Sequence, residues 1–326
     1  MSLFDKRRNA DVASLAIEGH LPGFGGATGW LNSAPLGSAD LSGKVVLVDF
    51  WTYTCINWLR TLGYVRAWAK KYEDQGLVVV GVHTPEFPFE KDPDNVRWAA
   101  KEMRVEYPVA LDPDYAVWRA FSNHYWPAVY IADAEGRIQH HQFGEGGFDE
   151  CERVTQRLLR EAGGDGIGDD LVSPTLEGFE VQADWTTLES PETYLGSDQA
   201  QNFAGMDVPP DSLRLNHWAL AGDWTIEEGA SVLNEAGGRI AFRFHARDVN
   251  LVLGSQTRGA SVPFRVLVDG EPPDVANGLD VDQAGNGTVV QQRLYQLVRE
   301  PGAITDRTFE ITFLEPGVEA YCFTFG

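Results

Sequence analysis

The chain has 326 residues and a formal net charge of −22, and 43% of its residues are hydrophobic. This length exceeds what one hydrophobic core usually serves, so we expect two domains. No apolar run approaches the ~18 residues that a membrane-spanning helix needs, so no membrane span is expected. Because 48 acidic residues outweigh 26 basic ones, nucleic acid and anionic lipid are excluded as expected partners.

The cysteines and the first residues bear on the cellular location. Three cysteines are too few for a disulfide scaffold in so long a chain. Cys151 lies in a polar helix start, which indicates a surface position, and Cys322 lies in an apolar final strand, which indicates the core. The first 20 residues lack the long apolar stretch of a secretory signal. We therefore expect a cytoplasmic protein, with export as the alternative if a leader has been removed.

Strand and helix patterns alternate through the first half of the chain. Apolar β-branched runs indicate buried strands, and runs without internal proline at helical spacing indicate helices. The predicted strands are 44–50, 77–83, 107–111, 127–133 and 137–143, and the predicted helices are 55–71, 93–103, 115–121 and 149–161. This alternation predicts an α/β domain with a largely parallel sheet, closed by an antiparallel hairpin at 134–136.

A cluster of glycine and aspartate at 163–170 ends this pattern. Such a cluster stops a helix and forms a linker, so we predict domains at 1–162 and 191–326 joined by a linker at 163–190. Beyond the cluster the helical period disappears and short strands alternate with turns. The predicted strands are 217–226, 238–245, 248–255, 262–268, 292–299, 308–314 and 318–325. This pattern predicts an all-β sandwich.

The first predicted strand runs directly into Cys55, which opens a predicted helix. A helix start presents unpaired backbone N–H groups and the positive end of the helix dipole. Both stabilise a thiolate over a thiol, and the thiolate is the nucleophile. Trp58 stands where the second cysteine of a Cys-x-x-Cys pair would be expected. We therefore predict a catalytic site with one reactive thiol. The alternative interpretation is that Cys55 is a buried residue that packs as a small hydrophobic side chain.

Three further features lie near this cysteine in the predicted fold. Asp49 lies inside a predicted strand. It is predicted to act as a proton shuttle, and a buried structural carboxylate is the alternative. Thr52 can give its hydroxyl to a bound oxygen or to the thiolate, or can cap the helix. Pro127 begins a strand expected beside the Cys55 helix. Aromatic side chains would make one side of the pocket apolar: Trp51, Tyr53, Trp58, Tyr125 and Trp126. Substrate contact is predicted for Trp51, Trp58 and Trp126.

The segments DFWTYTCINWLR, GVHTPEFPFE, YPVALDPDYAVWRAF and HYWPAVYIADAEGRI resemble the thioredoxin-like superfamily (redoxin and TlpA-like proteins). Together with SPETYLG, LNHWALAGDW and YCFTFG, they are most similar to the soluble C-terminal region of DipZ-type thiol-disulfide exchange proteins. The resemblance implies an α/β thioredoxin fold followed by a jelly-roll-like sandwich similar to a carbohydrate-binding module. It also implies that Cys55 is the nucleophile and that Pro127 follows a cis peptide bond.

Two departures from the family shape the expected function. The dithiol is replaced by a single thiol, and the membrane-embedded electron-donating half is absent from the sequence. We therefore expect a thiol-disulfide oxidoreductase or thiol-dependent peroxidase that takes a disulfide or a peroxide. An external thiol, either thioredoxin or a low-molecular-weight thiol, would resolve the product. Thr52-x-x-Cys55 matches part of the peroxiredoxin signature, but the upstream proline is Val48 and no activating arginine is identifiable.

The alternative is a redox-inactive thioredoxin-fold platform that carries a glycan- or protein-binding sandwich. Aromatic residues of the second domain could stack on sugar rings if they are exposed; they are Trp185, Tyr194, Trp218 and Trp224. No cofactor is expected. No metal is expected either, since no His/Cys/Asp set has zinc-like spacing and His140 and His141 point to opposite faces of a strand.

Overall fold

The computed structural model describes residues 15–326. The expectation that no secretory signal is present concerns the first 20 residues. Of these, residues 1–14 lie outside the described range. The described residues form two compact units. One runs to Thr52 and continues over Thr61–Thr175; the other consists of Tyr53–Arg60 and Leu176–Gly326. Within residues 15–326, no helix is both long and apolar enough to cross a membrane.

The described part of the first unit contains a seven-stranded sheet. Its strands in chain order are β1 Gly19–His20, β2 Gly29–Leu31, β3 Val45–Trp51, β4 Leu77–His83, β5 Val109–Leu111, β6 Ala128–Ala132 and β7 Arg137–Phe143. Their spatial order is β1-β7-β6-β3-β4-β5-β2. Every residue of β3 is buried, as its continuous apolar run predicts for a strand covered on both faces.

The sheet is mixed, so the prediction of a largely parallel sheet is wrong in part. β3, β4 and β5 are parallel, but β6 runs antiparallel to β3. β7 is antiparallel to β6, as the predicted hairpin requires. Strand direction is a property of the connections, and hydrophobic periodicity does not report it.

Five α-helices lie in the described residues. They are α1 Ser38–Leu41, α2 Ile56–Tyr72, α3 Pro93–Glu102, α4 Ala116–Ala120 and α5 Phe148–Glu161. The last four match the predicted helices to within one residue at nearly every boundary. Side chains of β3, β4, β6 and the α4 region form one hydrophobic cluster, in which Phe50 packs edge-on against Trp118, Phe121 and Tyr130.

The second unit holds two six-stranded sheets in the order β16-β15-β18-β13-β10-β9 and β11-β12-β19-β14-β17, with β8 paired to β19. The strands are β8 Thr193–Tyr194, β9 Phe203–Met206, β10 Trp218–Ala221, β11 Trp224–Ile226, β12 Ser231–Leu233, β13 Arg239–Phe244, β14 Asp248–Ser255, β15 Val262–Val268, β16 Asn286–Val289, β17 Arg293–Arg299, β18 Arg307–Phe313 and β19 Val318–Phe325. One hydrophobic cluster contains side chains of both sheets. Phe242 of β13 and Phe323 of β19 meet in it with ring centroids 5.1 Å apart. The all-β prediction for this part of the chain is therefore confirmed, while the jelly-roll likeness stays a prediction.

The units divide within the predicted linker. Residues up to Thr175 cluster with the first unit and Leu176 begins the second. The segment Tyr53–Arg60, which contains Cys55, clusters with the second unit. Sequence pattern did not predict that assignment, because it follows from contacts with residues far along the chain.

Candidate functional site

Cys55 is the N-cap residue of α2. β3 ends at Trp51 and α2 begins at Ile56, and the amide of Leu59 donates to the carbonyl oxygen of Cys55 at 3.0 Å. The side chain is half-buried and forms no disulfide. A thiol at a helix N-terminus lies at the positive end of the helix dipole, which favours a negative charge. The predicted strand-to-helix junction is therefore present.

Thr52 occupies the position directly after β3, three residues before Cys55. Its side chain has no exposed surface. Across residues 15–326, no group forms a hydrogen bond with its Oγ1 atom. The hydroxyl therefore does not cap the helix, which was the structural alternative. Buried hydroxyls are nearly always hydrogen-bonded, so the Thr52 hydroxyl is an exception among the described residues.

Asp49 lies inside β3 with no exposed surface. The hydroxyl of Tyr107 donates to its Oδ2 atom at 3.2 Å. Burial, and then the negative charge of Asp49, hold the pKa of Tyr107 well above its usual value, so the phenol keeps its proton near neutral pH. Tyr107 was not among the predicted site residues, because its only sequence signal was its place in a predicted strand. This contact supports a structural role for Asp49 alongside the predicted proton shuttle.

The Trp126–Pro127 peptide bond is cis, as the resemblance implies. Ala128 pairs with Phe50 in the antiparallel register of β6 and β3, so Pro127 lies beside the end of β3. Its carbonyl oxygen accepts a hydrogen bond from the amide of Gly144 at 2.9 Å. The sheet thus places this proline next to the strand that leads to Cys55.

Trp126 is the half-buried member of the three predicted substrate contacts. Its indole Nε1 donates to the carbonyl oxygen of Thr84 at 3.1 Å. Its ring lies 4.3 Å from that of Trp118. The ring is therefore held in place while part of its surface stays exposed.

Trp51 and Trp58 are 0% exposed, so neither presents a surface to a substrate in this structure. Trp51 fills the space above Gly81, where a Cβ atom would lie 2.8 Å from its Nε1 atom. Its ring meets that of His83 edge-on at 4.7 Å. Burial lowers the pKa of His83 to about 3, so this imidazole is neutral at physiological pH. The prediction of substrate contact is therefore narrowed to Trp126, because the other two tryptophans pack in the interior.

The other two cysteines are buried. The predicted surface position of Cys151 is wrong, since it faces inward from α5 and is 1% exposed. Its Sγ atom lies 3.6 Å from Nε2 of His140, and burial raises the pKa of the thiol to about 12. Cys322 in β19 is also 1% exposed, as predicted. Neither forms a disulfide.

The candidate glycan-stacking residues differ in exposure. Trp218 is 0% exposed and Trp224 is 9% exposed, and both belong to the hydrophobic core between the sheets. Tyr194 is half-buried. Trp185 is 59% exposed. Only one of these four rings, that of Trp185, is exposed. The four residues therefore do not form a flat aromatic surface.

The central strand β3 and the cis-proline beside it define the class of the first unit. It is a thioredoxin-like domain, and an all-β region follows it. A family model described as AhpC/TSA family matches residues 21–141. A second model, described as thioredoxin like C-terminal domain, matches residues 190–326.

Curated relatives define the family. Thiol-disulfide oxidoreductase YkuV of Bacillus subtilis is 33% identical over 141 residues, which cover 43% of this chain and 95% of YkuV. The chain therefore belongs to the thioredoxin-like family of thiol-disulfide oxidoreductases. Protein DipZ of Mycobacterium tuberculosis is 38% identical over 274 residues, or 80% of this chain. The chain spans only 38% of the length of DipZ.

A solved structure described as a thioredoxin-like protein in the oxidized form is also similar. It is 33% identical and covers 44% of this chain, while this chain covers 96% of that protein, with a TM-score of 0.41.

Proposed function

We propose that the protein is a thiol-disulfide oxidoreductase that acts through the single thiol of Cys55. The observation that carries this proposal is a half-buried cysteine, without a disulfide, at the N-cap of α2 and directly after a central strand. Cys151 and Cys322 are buried and do not compete for a macromolecular substrate. The half-buried Trp126 is the proposed substrate contact, and Pro127 keeps its proposed catalytic place beside the end of β3.

The proposed exchange has two steps. The Cys55 thiolate attacks one sulfur of a substrate disulfide, forms a mixed disulfide and releases the other sulfur as a thiolate. The thiolate of an external thiol then attacks the mixed disulfide, takes the substrate sulfur and regenerates the Cys55 thiolate. Thioredoxin or a low-molecular-weight thiol is the proposed second reactant. The external thiol is required because residue 58 is a tryptophan rather than a cysteine.

Peroxide reduction is the second candidate, and the match of Thr52-x-x-Cys55 to part of the peroxiredoxin signature favours it. The thiolate would attack one peroxide oxygen and become a sulfenic acid, with hydroxide as the leaving group. An external thiol would then condense with the sulfenic acid and release water. The match to the AhpC/TSA family model also supports this chemistry.

The redox-inactive alternative keeps one supporting observation, the exposed ring of Trp185. One aromatic ring can stack on a sugar, but it does not explain a cysteine at an N-cap. The cytoplasm stays the proposed location, with export as the alternative.

Mass spectrometry of the wild type and of Cys55→Ser tests the proposed function. Each protein is exposed briefly to glutathione disulfide or to hydrogen peroxide and then digested. We expect a mixed disulfide or an oxidised sulfur on Cys55 alone, because the raised pKa of Cys151 and the burial of Cys322 suppress their thiolates. Cys151→Ser is the matched control and should behave as wild type. An unmodified Cys55 with either reagent would remove the basis of the proposal.

A further inference from the structure

Arg60 is a buried arginine on the same helix as Cys55. The amide of Leu59 closes the first turn of α2 onto Cys55, and Arg60 is the next residue. Its side chain is 1% exposed. A guanidinium loses several kcal/mol of hydration when it is buried, so its place in a fold is set by its partners.

Two hydrogen bonds tie Arg60 to the last strand and to the segment that precedes the sheets. Its Nη2 atom donates to the carbonyl oxygen of Phe325 in β19 at 3.2 Å. Its own carbonyl oxygen accepts from Nε2 of Gln182 at 3.1 Å. Both residues belong to the compact unit that contains the Cys55 segment. Side chain and backbone of Arg60 are therefore both tied to that unit.

A charged cluster continues from these contacts. Asp248, at the start of β14, is 1% exposed and accepts hydrogen bonds from Arg247 at 2.6 Å and from Arg299 at 2.8 Å. The Nη2 atom of Arg247 also donates to the carbonyl oxygen of Gln182 at 2.9 Å. Charge-assisted bonds of this kind hold their groups in fixed geometry.

Gly326 leaves room for the guanidinium of Arg60. A Cβ atom at this position would lie 1.9 Å from Nη2 of Arg60 and 3.3 Å from Oδ2 of Asp248. No atom other than hydrogen fits into that space while Arg60 keeps its position. A substitution of Gly326 would therefore displace the Arg60 side chain while residue 60 stays an arginine.

We propose that Arg60 is a positioning residue that holds the first turn of α2, and with it Cys55, through its bond to the last strand. This inference rests on the proposed function of Cys55. It gives the last strand of the second unit a role in positioning that cysteine. Since α2 begins at Ile56, Arg60 lies directly after the first helical turn, and its bond to β19 holds that turn beside Cys55.

The test is the rate of Cys55 alkylation by iodoacetamide as a function of pH. Arg60→Met removes the donor and the charge, and Gly326→Ala displaces the guanidinium. We expect the midpoint of both profiles to rise by about half a pH unit, so that the rate below the midpoint falls roughly threefold. Arg60→Lys keeps a positive donor and should restore most of the wild-type profile.

Arg66→Met is the matched control. Arg66 lies on the same helix and donates to the carbonyl oxygen of Met103 at 2.6 Å, so the variant loses a comparable bond outside the Cys55 segment. It should keep the wild-type profile even if its melting temperature falls. Wild-type midpoints in both Arg60→Met and Gly326→Ala would overturn the inference while leaving the proposed function intact. A wild-type Cys55 that is not alkylated at any pH would instead contradict the proposed function.

Discussion

Trp58 distinguishes this site from a dithiol site. It lies three residues after Cys55, where one helical turn brings a side chain back to the same side of α2. Its ring is 0% exposed. Residue 58 is therefore a core residue, in addition to lacking the thiol of a dithiol site. The tryptophan therefore stabilises the fold at a position where a cysteine would resolve a mixed disulfide.

Trp58→Cys should convert the site into a dithiol. After mild oxidation we expect a disulfide between Cys55 and the new thiol, seen as the loss of two hydrogens in the intact mass. The variant should also be less stable by about 3–5 kcal/mol, because a large buried ring is replaced by a small side chain.

Trp58→Ser is the matched control for this experiment. It leaves a similar cavity and should lose similar stability in urea denaturation, but it has no second thiol and should show no loss of hydrogens. A variant Trp58→Cys that folds and yet keeps two free thiols after oxidation would show that the two positions do not meet.

Sequence and structure differ in how far they define the candidate site. Cys55 and Pro127 could be placed from sequence, because a strand running into a cysteine and a proline at a strand start are local patterns. Tyr107 and Arg60 could not, since their partners lie 58 and 265 residues away. Trp51 and Trp58 were predicted to contact a substrate, because the sequence does not distinguish an aromatic residue of a pocket wall from one of the core.

At the scale of elements, Glu152 of α5 joins α2 to the chain that follows α5. Its carboxylate is 1% exposed and accepts hydrogen bonds from Trp68, Lys71 and Tyr72 of α2. It also accepts the amide of Val172 at 2.8 Å. Burial, and then the hydrogen bond with Glu152, raise the pKa of Tyr72. One carboxylate thus satisfies donors from α2 and from the segment that follows α5.

Glu152→Ala should destabilise the protein by about 3 kcal/mol, because it leaves several donors without their buried acceptor. Residues 163–175 should also be cleaved faster by a protease, since the amide of Val172 loses its acceptor. Urea denaturation and limited proteolysis measure the two effects.

Asp149→Ala, on the same helix, is the control for Glu152→Ala. The Asp149 side chain is 77% exposed, so this change should alter stability by less than about 0.5 kcal/mol. Equal stabilities of the two variants would show that the Glu152 contacts contribute little.

At the scale of the whole molecule, long strands were predictable and short ones were not. The predictions for 77–83, 137–143, 248–255, 262–268 and 318–325 agree with the observed bounds. Two-residue β1 and β8 were missed, because hydrophobic periodicity needs a longer window. β9 was missed because most of its residues are exposed. The predicted run 217–226 is two strands, β10 and β11, separated by a turn at Gly222, whose φ is 96°.

The central claim is that one thiol, without an internal partner, performs the exchange. The direct measurement is the amount of thionitrobenzoate released when excess 5,5′-dithiobis(2-nitrobenzoate) reacts with the native protein, followed by the intact mass. We predict one equivalent released and one thionitrobenzoate retained on Cys55, with no release from Cys55→Ser. Two equivalents released and none retained would contradict the account, because a second cysteine would then have resolved the mixed disulfide.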